Sequence, residues 1–168
     1  MIMMQHDDEA PGAGPEFWVG AVDLGPLGRG LGFALRRAQA AVVEDFLARF
    51  SAEDIRPNQF AVLTVLRHNP GLRQTQASFA LGIKRTNFVP LIDELERRGL
   101  VERRQVAGDR RAAALFLTKD GGALLNRLER IAAEHAARFV ARVGGADQFG
   151  QLLGLLHRIS DRAFDSDA

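Results

Sequence analysis

The 168-residue chain contains no cysteine. That excludes disulfides, thiolate redox sensing and cysteine-ligated zinc, and with them peroxide sensing through thiol oxidation. It also lacks any apolar run long enough to span a membrane, so no membrane partner is expected. Its amino terminus, MIMMQHDDEA, has neither the basic start nor the apolar core of a signal peptide, which points to a cytoplasmic protein. A large charge of one sign is missing too. The net charge is +1, and the total therefore says nothing about nucleic acid. The distribution says more, because residues 84–111 carry eight Lys/Arg against five Asp/Glu, whereas residues 1–16 carry four acids and no base. His6, His68, His135 and His157 share no metal-ligand spacing, so no metal is expected, and no other cofactor is called for. His135, on an apolar stripe, reads as a satisfied interface histidine. Ser51, Ser78, Ser160 and Ser166 all have cap, helix or tail readings, and no nucleophile, base and orienter can be assembled around them; the chain does not read as an enzyme.

What is present is organised around residues 81–117. A polar, basic opening of Lys84, Arg85, Thr86 and Asn87 leads into Phe88, Ile92 and Leu95, whose four-and-three spacing places them on one helical face. Gly99 is the expected stop, with Arg97 and Arg98 suited to the negative end of the helix dipole. Two β-compatible runs follow, at 100–106 and 112–117. Ala107, Gly108 and Asp109 supply the turn between them, and Arg110 and Arg111 are placed at the tip. Upstream, Pro57 suits the first turn of a helix over 58–67 that buries Phe60, Val62 or Leu63, and Leu66, and Ser51 reads as a cap with Asp54 three residues on. Asn69-Pro70-Gly71 ends that helix. Leu72 and Arg73 are briefly extended, and Thr75 caps a short helix over 76–81 whose Phe79 and Ala80 face inward. Helix, turn, helix with a polar first turn, then a basic hairpin is a winged helix-turn-helix pattern. It offers one element to a major groove and one to the neighbouring minor groove.

Long amphipathic helices flank this unit. The first carries Leu31, Leu35, Ala38, Val42, Phe46 and Phe50 on one face. After the hairpin, Thr118 reads as the cap of a helix whose stripe includes Leu124 or Leu125, Leu128, Ile131 or Ala132, His135, Phe139 and Val143, and which Gly144-Gly145 breaks. A last helix over about 146–164 carries Phe149, Leu152, Leu153, Leu156, Ile159 and Ala163. One small winged helix cannot cover all three stripes, so they are expected to bury one another across a two-fold homodimer interface. The fold class is mainly α with a small β wing, a winged helix-turn-helix with long terminal dimerisation helices. Its expected divisions are an N-terminal tail and docking segment (1–23), a dimerisation helix and connector (24–56), the DNA-binding domain (57–117) and C-terminal dimerisation helices (118–168). Within the first, Phe17, Trp18, Val19 and Val22 are too apolar to stay loose, and Trp18 reads as a packed anchor. Gly28-Arg29-Gly30-Leu31-Gly32 resembles a nucleotide loop but has Phe33 where the third glycine belongs, and 18–24 is a poor strand. The better reading is the entry to the first long helix, whereas a nucleotide-dependent enzyme would require a parallel sheet.

The residues LGFALRRAQ at 31–39, LGIKRTNFVPLIDELERRGLVER at 81–103 and GDRRAAALFLTKDG at 108–121 resemble the MarR family of winged-helix transcription regulators. The last stretch is the most specific, with its Asp-Arg-Arg and a strand ending in Leu-Thr. The resemblance implies a homodimeric repressor that binds a pseudo-palindromic double-stranded DNA operator and is released by a small-molecule effector. It implies that Asp109 orients the wing, that Arg111 enters the minor groove, and that Arg85, Thr86 and Asn87 face the major groove. Thr75, Lys84, Arg104 and Arg110 complete the candidate DNA-contacting set. For the effector, the family analogy favours an aromatic or amphipathic anion, with Arg36, Arg37 and His68 as polar contacts and Phe33 and Phe60 as walls; each also has a plain packing or surface reading. Two departures stand out: Lys84 occupies a position where the family commonly has a capping serine, and Pro90 lies inside the recognition helix, where it should kink the helix or displace its first turn. The rival from another class is a winged-helix protein-interaction module without DNA binding, against which the retained Lys84, Arg85 and Asp109-Arg110-Arg111 argue.

Overall fold

The computed structural model describes residues 18–19, 22–106 and 109–164, without side chains at 18–19, 106, 109–112 and 161–164. The chain forms two compact units, Met1–Val43 and Glu44–Ala168.

In the first unit, β1 (Trp18–Val19) and β2 (Val22–Asp23) pair antiparallel, so the stretch that reads as a poor strand forms a minimal hairpin. Phe17 lies outside the described residues. Gly25–Arg29 is a 3-10 turn, and α1 (Leu31–Phe50) follows it. The glycines at 28–32 therefore lead into a helix, as the better reading expects, and the described sheets are all antiparallel. The nucleotide-loop reading expects a parallel sheet, and among the described residues the strand pairs are antiparallel instead.

The second unit holds the core. The end of α1 contributes Phe46 and Phe50, and a 3-10 corner, Ser51–Glu53, leads through Asp54 into α2 (Pro57–His68). Ser51 does not cap α2; its hydroxyl donates to Ala48 O. The N-cap position is Arg56, whose N–H donates to Gln59 Oε1 at 2.9 Å, and Pro57 occupies the first turn, where its missing donor costs nothing. Val62, Leu63 and Leu66 are buried and Phe60 is half-buried against the core.

A second cap also differs from expectation. After β3 (Leu72–Arg73), α3 spans Gln74–Ala80, with Arg73 at the cap position donating its N–H to Gln76 Oε1. Thr75 thus lies in the first turn rather than before it, and it is exposed. The inward face of α3 is Ala77 and Ser78, while Phe79 is 68% exposed and Ala80 is exposed as well. Seven residues make about two turns, too few for the apolar pattern to fix the phase of the helix.

Next, α4 (Arg85–Arg97) buries Phe88, Ile92 and Leu95, the three residues its spacing selects. Burial of each such side chain stabilises by about 1.5–3 kcal/mol. The helix continues through Pro90 without a break. It ends in a Schellman arrangement: Leu100 N–H donates to Leu95 O at 2.9 Å and Gly99 N–H to Glu96 O at 2.8 Å, with Gly99 at φ 69°.

The wing follows as β4 (Val101–Val106) and β5 (Asp109–Leu117), with β3 on the outer side of β5. The brief extended pair Leu72-Arg73 is thus a third strand. Pairing between β4 and β5 steps from Gln105↔Ala113 to Val106↔Asp109, so residues 110–112 bulge out of the ladder. Asp109 is already in the strand, and Arg110 and Arg111 lie in this bulge rather than in the turn. At the base of the wing, Thr118 Oγ1 donates to Gly99 O at 2.7 Å and accepts from Gly121 N–H at 2.9 Å, capping α5 (Lys119–Arg142). Gly121 sits so close to the strand that a Cβ there would lie 2.0 Å from Leu100 O. Leu124, Leu125 and Leu128 join the core. Arg67 ties α2 to α5 through Glu129, at 3.0 Å, and Gly122 O, at 2.8 Å. Gly144 and Gly145, both at positive φ, break the chain before α6 (Ala146–Phe164). On α6, Leu152, Leu153, Leu155 and Ile159 are exposed.

Candidate nucleic-acid interface

The residues expected to meet DNA fall into two groups. The first is the opening turn of α4. Lys84 takes the N-cap position with φ −56° and ψ 138° and makes no side-chain cap bond, as expected of an ammonium, which has no acceptor to offer. Its backbone carbonyl instead receives Asn87 N–H at 2.9 Å and Phe88 N–H at 3.0 Å. Lys84, Arg85, Thr86 and Asn87 are all exposed. All four lie at the open end of the helix, ahead of its first buried residue, Phe88. Pro90 has no N–H for the carbonyl of Thr86, leaving that acceptor on the same exposed end.

The second group is the wing. Asp109, Arg110 and Arg111 are placed by their backbone in β5, and their side chains lie outside the described residues. Arg104 is on β4, exposed, donating to Glu102 at 3.0 Å, with its guanidinium 4.3 Å from the centroid of Phe116. The stacking holds the guanidinium plane against the sheet. Thr75 lies on α3, exposed.

The other basic residues nearby are committed elsewhere. Arg103 bonds Glu96 and Asp93 and so braces β4 against α4. Arg97 pairs with Glu94, whose carboxyl is held below its ordinary value mainly by the hydrogen bond from Arg97. Arg98 reaches back to the corner before α2, donating to Asp54 O at 2.7 Å and Glu53 O at 3.2 Å. The acid–base pairing of Arg97, Arg103 and Arg104 with Glu94, Glu96 and Glu102 is readable from sequence. The reach of Arg98 across 44 positions has no local signal, and dipole complementarity alone does not point to it.

The candidate effector residues belong to both units: Phe33, Arg36 and Arg37 to the first, Phe60 and His68 to the second. Phe33 is half-buried, with the guanidinium carbons of Arg36 and Arg37 at 5.2 and 5.9 Å from its ring centroid. Phe60 belongs to an aromatic cluster, 6.0 Å from Phe46 and 5.6 Å from Phe50. His68 is exposed at the end of α2. His135 is satisfied: its Nδ1 lies 2.7 Å from Asp45 Oδ2 and its ring meets Phe46 and Phe139 edge-on. Asp45 also receives Arg49 and Arg138, and its carboxyl lies below its ordinary value, chiefly through the His135 bond. Among the described residues no group of three or more His, Asp or Glu could hold a metal ion. No described helix is long and apolar enough to cross a membrane.

Comparison with known proteins bears on this arrangement. A model described as the MarR family matches residues 53–112, from the corner through the wing. A putative transcriptional regulatory protein for the hcr operon of Thauera aromatica is 34% identical over 136 residues, covering 80% of this chain and 81% of that protein. The chain belongs to the MarR family. Among solved MarR-like structures, the transcriptional repressor CouR bound to a 23-mer DNA duplex is 41% identical with a TM-score of 0.79, over 83% of this chain and 98% of CouR. PcaV from Streptomyces coelicolor, solved with its natural ligand, is 29% identical with a TM-score of 0.73, over 85% and 98% respectively. As a MarR-family member the chain is a DNA-binding transcription regulator, and the family is regulatory rather than enzymatic.

Proposed function

We propose that the chain works as a homodimeric repressor that places the first turn of α4 from each protomer in successive major grooves of a pseudo-palindromic operator. The carrying observation is the contrast in commitment around α4. Lys84, Arg85, Thr86 and Asn87 are exposed with no described side-chain partner, whereas Arg97, Arg98 and Arg103 are all bonded. Arg85 can there pair with guanine and Asn87 with adenine, the bidentate contacts that discriminate bases, and Lys84 and Thr86 suit phosphate. Arg111, on the wing, enters the adjacent minor groove, where arginine reads width and negative potential. Asp109 orients that bulge, and Arg110, Arg104 and Thr75 meet phosphate. The working divisions are those read from the sequence: tail to 23, dimerisation at 24–56 and 118–168, DNA binding at 57–117.

The effector is a small aromatic acid or its activated thioester. CouR, at 39% identity in that structure, was also solved bound to p-coumaroyl-CoA, and Phe33 with Arg36 and Arg37 offers an aromatic face beside two cations for such an anion. Phe60 and His68, on the second unit, offer a further aromatic face and a further polar group. The protein is not an enzyme in this reading: effector binding shifts a DNA-binding equilibrium and transforms nothing.

The experiment is a titration of the purified protein against duplex from its gene's own upstream region and a scrambled duplex. Specific binding at one pseudo-palindromic segment, weakened by p-coumaroyl-CoA or a free aromatic carboxylate, is the expected outcome. Equal affinity for both duplexes would remove the repressor reading.

A further inference from the structure

The corner between α1 and α2 is unusual in this chain. Asp54 is the one described non-glycine residue at positive φ, with φ 48° and ψ 50°. Such a conformation persists where the surroundings hold it. Directly before it, the 3-10 turn Ser51–Glu53 ends with carbonyls that have no partner farther along a helix. The guanidinium of Arg98, at the C-cap of α4, donates to the carbonyls of both Glu53 and Asp54. On its other side the corner is held by α5: Arg127 donates through Nε and Nη2 to the Glu53 carboxylate, each at 3.2 Å. Next in the chain, Ile55 is 3% exposed and belongs to the core.

We infer that Arg98 is a positioning residue, which ties the C-terminal end of α4 to the corner closing α1 and so sets where the exposed first turn of α4 points. This rests on the reading of α4 as the DNA-reading helix. The remaining charged ties of α4 stay local: Arg103 braces it to the wing and Arg97 stays within the helix. Arg98 reaches back past α2 and α3 to the point where α1 ends, and α5 grips the same corner through Arg127. A displacement of α1 or α5 therefore reaches α4 by a rigid, hydrogen-bonded connection at the end remote from the bases. Because a helix is stiff, a small tilt at Arg98 moves Arg85 and Asn87 most. An arginine is suited to this place: its planar fork serves two carbonyls at once, which a lysine ammonium matches less well.

The test uses the full chain. The absence of native cysteine lets Thr86→Cys be spin-labelled at a single site per protomer. In Arg98→Gln the distribution of label-to-label distances across the dimer should broaden, and Arg98→Lys should restore it in part. Operator affinity should fall about ten-fold in Arg98→Gln, with the salt slope and the affinity for scrambled duplex unchanged. Arg127→Gln should act in the same direction, and the double variant should fall short of the sum, because both residues hold Glu53. A salt slope reduced by about one unit per half-site, with both duplexes weakened alike, would mean that Arg98 touches phosphate and would overturn the proposal. An unchanged distance distribution would overturn it as well, whether or not the upstream duplex is bound. If Arg98→Gln fails to fold, Arg98→Lys and Arg127→Gln carry the same two readouts. Failure of the wild-type chain to prefer its upstream duplex would count against the DNA-reading assignment alone.

Discussion

At its first turn α4 presents Lys84, Arg85, Thr86 and Asn87 to solvent, while in its last turns and just beyond Asp93, Glu94, Glu96, Arg97 and Arg98 are all bonded. Both ends are rich in charge, yet only one has charge to give. A cation already neutralised by a carboxylate within one helical turn releases few counterions on meeting a phosphate, whereas an unpaired one releases its full share. Commitment, not the number of basic residues, therefore separates the proposed reading end of the helix from the structural end. The local surplus of eight basic residues over five acids in 84–111 was a modest signal because it averages over both kinds.

The largest loss should come from removing the second copy of the proposed reading end. Leu152→Asp puts an unpaired charge into the apolar face of α6, where Leu152, Leu153, Leu155 and Ile159 are exposed in the single chain. The dimer should be lost in sedimentation, and operator affinity should fall toward the non-specific level, a gap of about 10³ or more for specific binders. A DNA-binding dimer carrying this change would refute the interface assignment. Next in size, Arg85→Ala and Asn87→Ala should each cost about 1–3 kcal/mol at the operator and far less on scrambled duplex, measured by anisotropy at several salt concentrations. An equal loss on both duplexes would show that the first turn touches phosphate only.

Pro90 lies between the two ends. Pro90→Ala supplies an N–H for Thr86 O and removes the ring from the helix interior, worth up to ~3 kcal/mol in a regular helix, less ~0.4–1 kcal/mol for the looser unfolded chain. A rise in melting temperature with altered operator preference is expected; unchanged values of both would show the site already adapted to proline. Arg97→Ala, by contrast, should leave operator affinity and salt slope close to wild type, since Arg97 is spent on Glu94. The smallest effect concerns Asp45, a committed carboxylate far from α4 in sequence. Its lowered value means that its contribution to stability is full above the ordinary aspartate value of 3.8 and is lost as pH falls through the shifted value. The stability difference between wild type and Asp45→Asn should therefore be present above pH 3.8 and shrink below it, as denaturant titrations at each pH would record.

Much of this is legible in the sequence. Phe88, Ile92, Leu95 and Gly99 identify α4 because thirteen residues give a periodic pattern room to declare itself, and the glycine stop is local chemistry. Thr118 was legible as a cap for the same reason. The sequence misleads where an element is short or a partner is distant. In the seven residues of α3 nothing distinguishes Phe79 inward from Ala77 inward, and packing chose the latter. Ser51 and Thr75 have the side chains of good caps, but Gln59 and Gln76 reach back to the chain ahead of their helices and fill that role. The turn chemistry of 107–109 marks the hairpin correctly but not the bulge at 110–112, which depends on how β5 aligns with β4.

The staple between Thr118, Gly121 and residues 99–100 gives the wing a closed base. Strands β4 and β5 leave from one fixed point and return to it, so the hairpin resembles a loop sewn shut at its root. The ends are brought together once, by the staple and by the helices it joins, and the loop-closure entropy grows only slowly with the length in between. Lengthening or resequencing the far end of the wing therefore places little load on the core, and amide exchange should quicken from Val101 and Leu117 toward the bulge. A regulator built this way can exchange the far end of its wing while the rest of its architecture stays as it is.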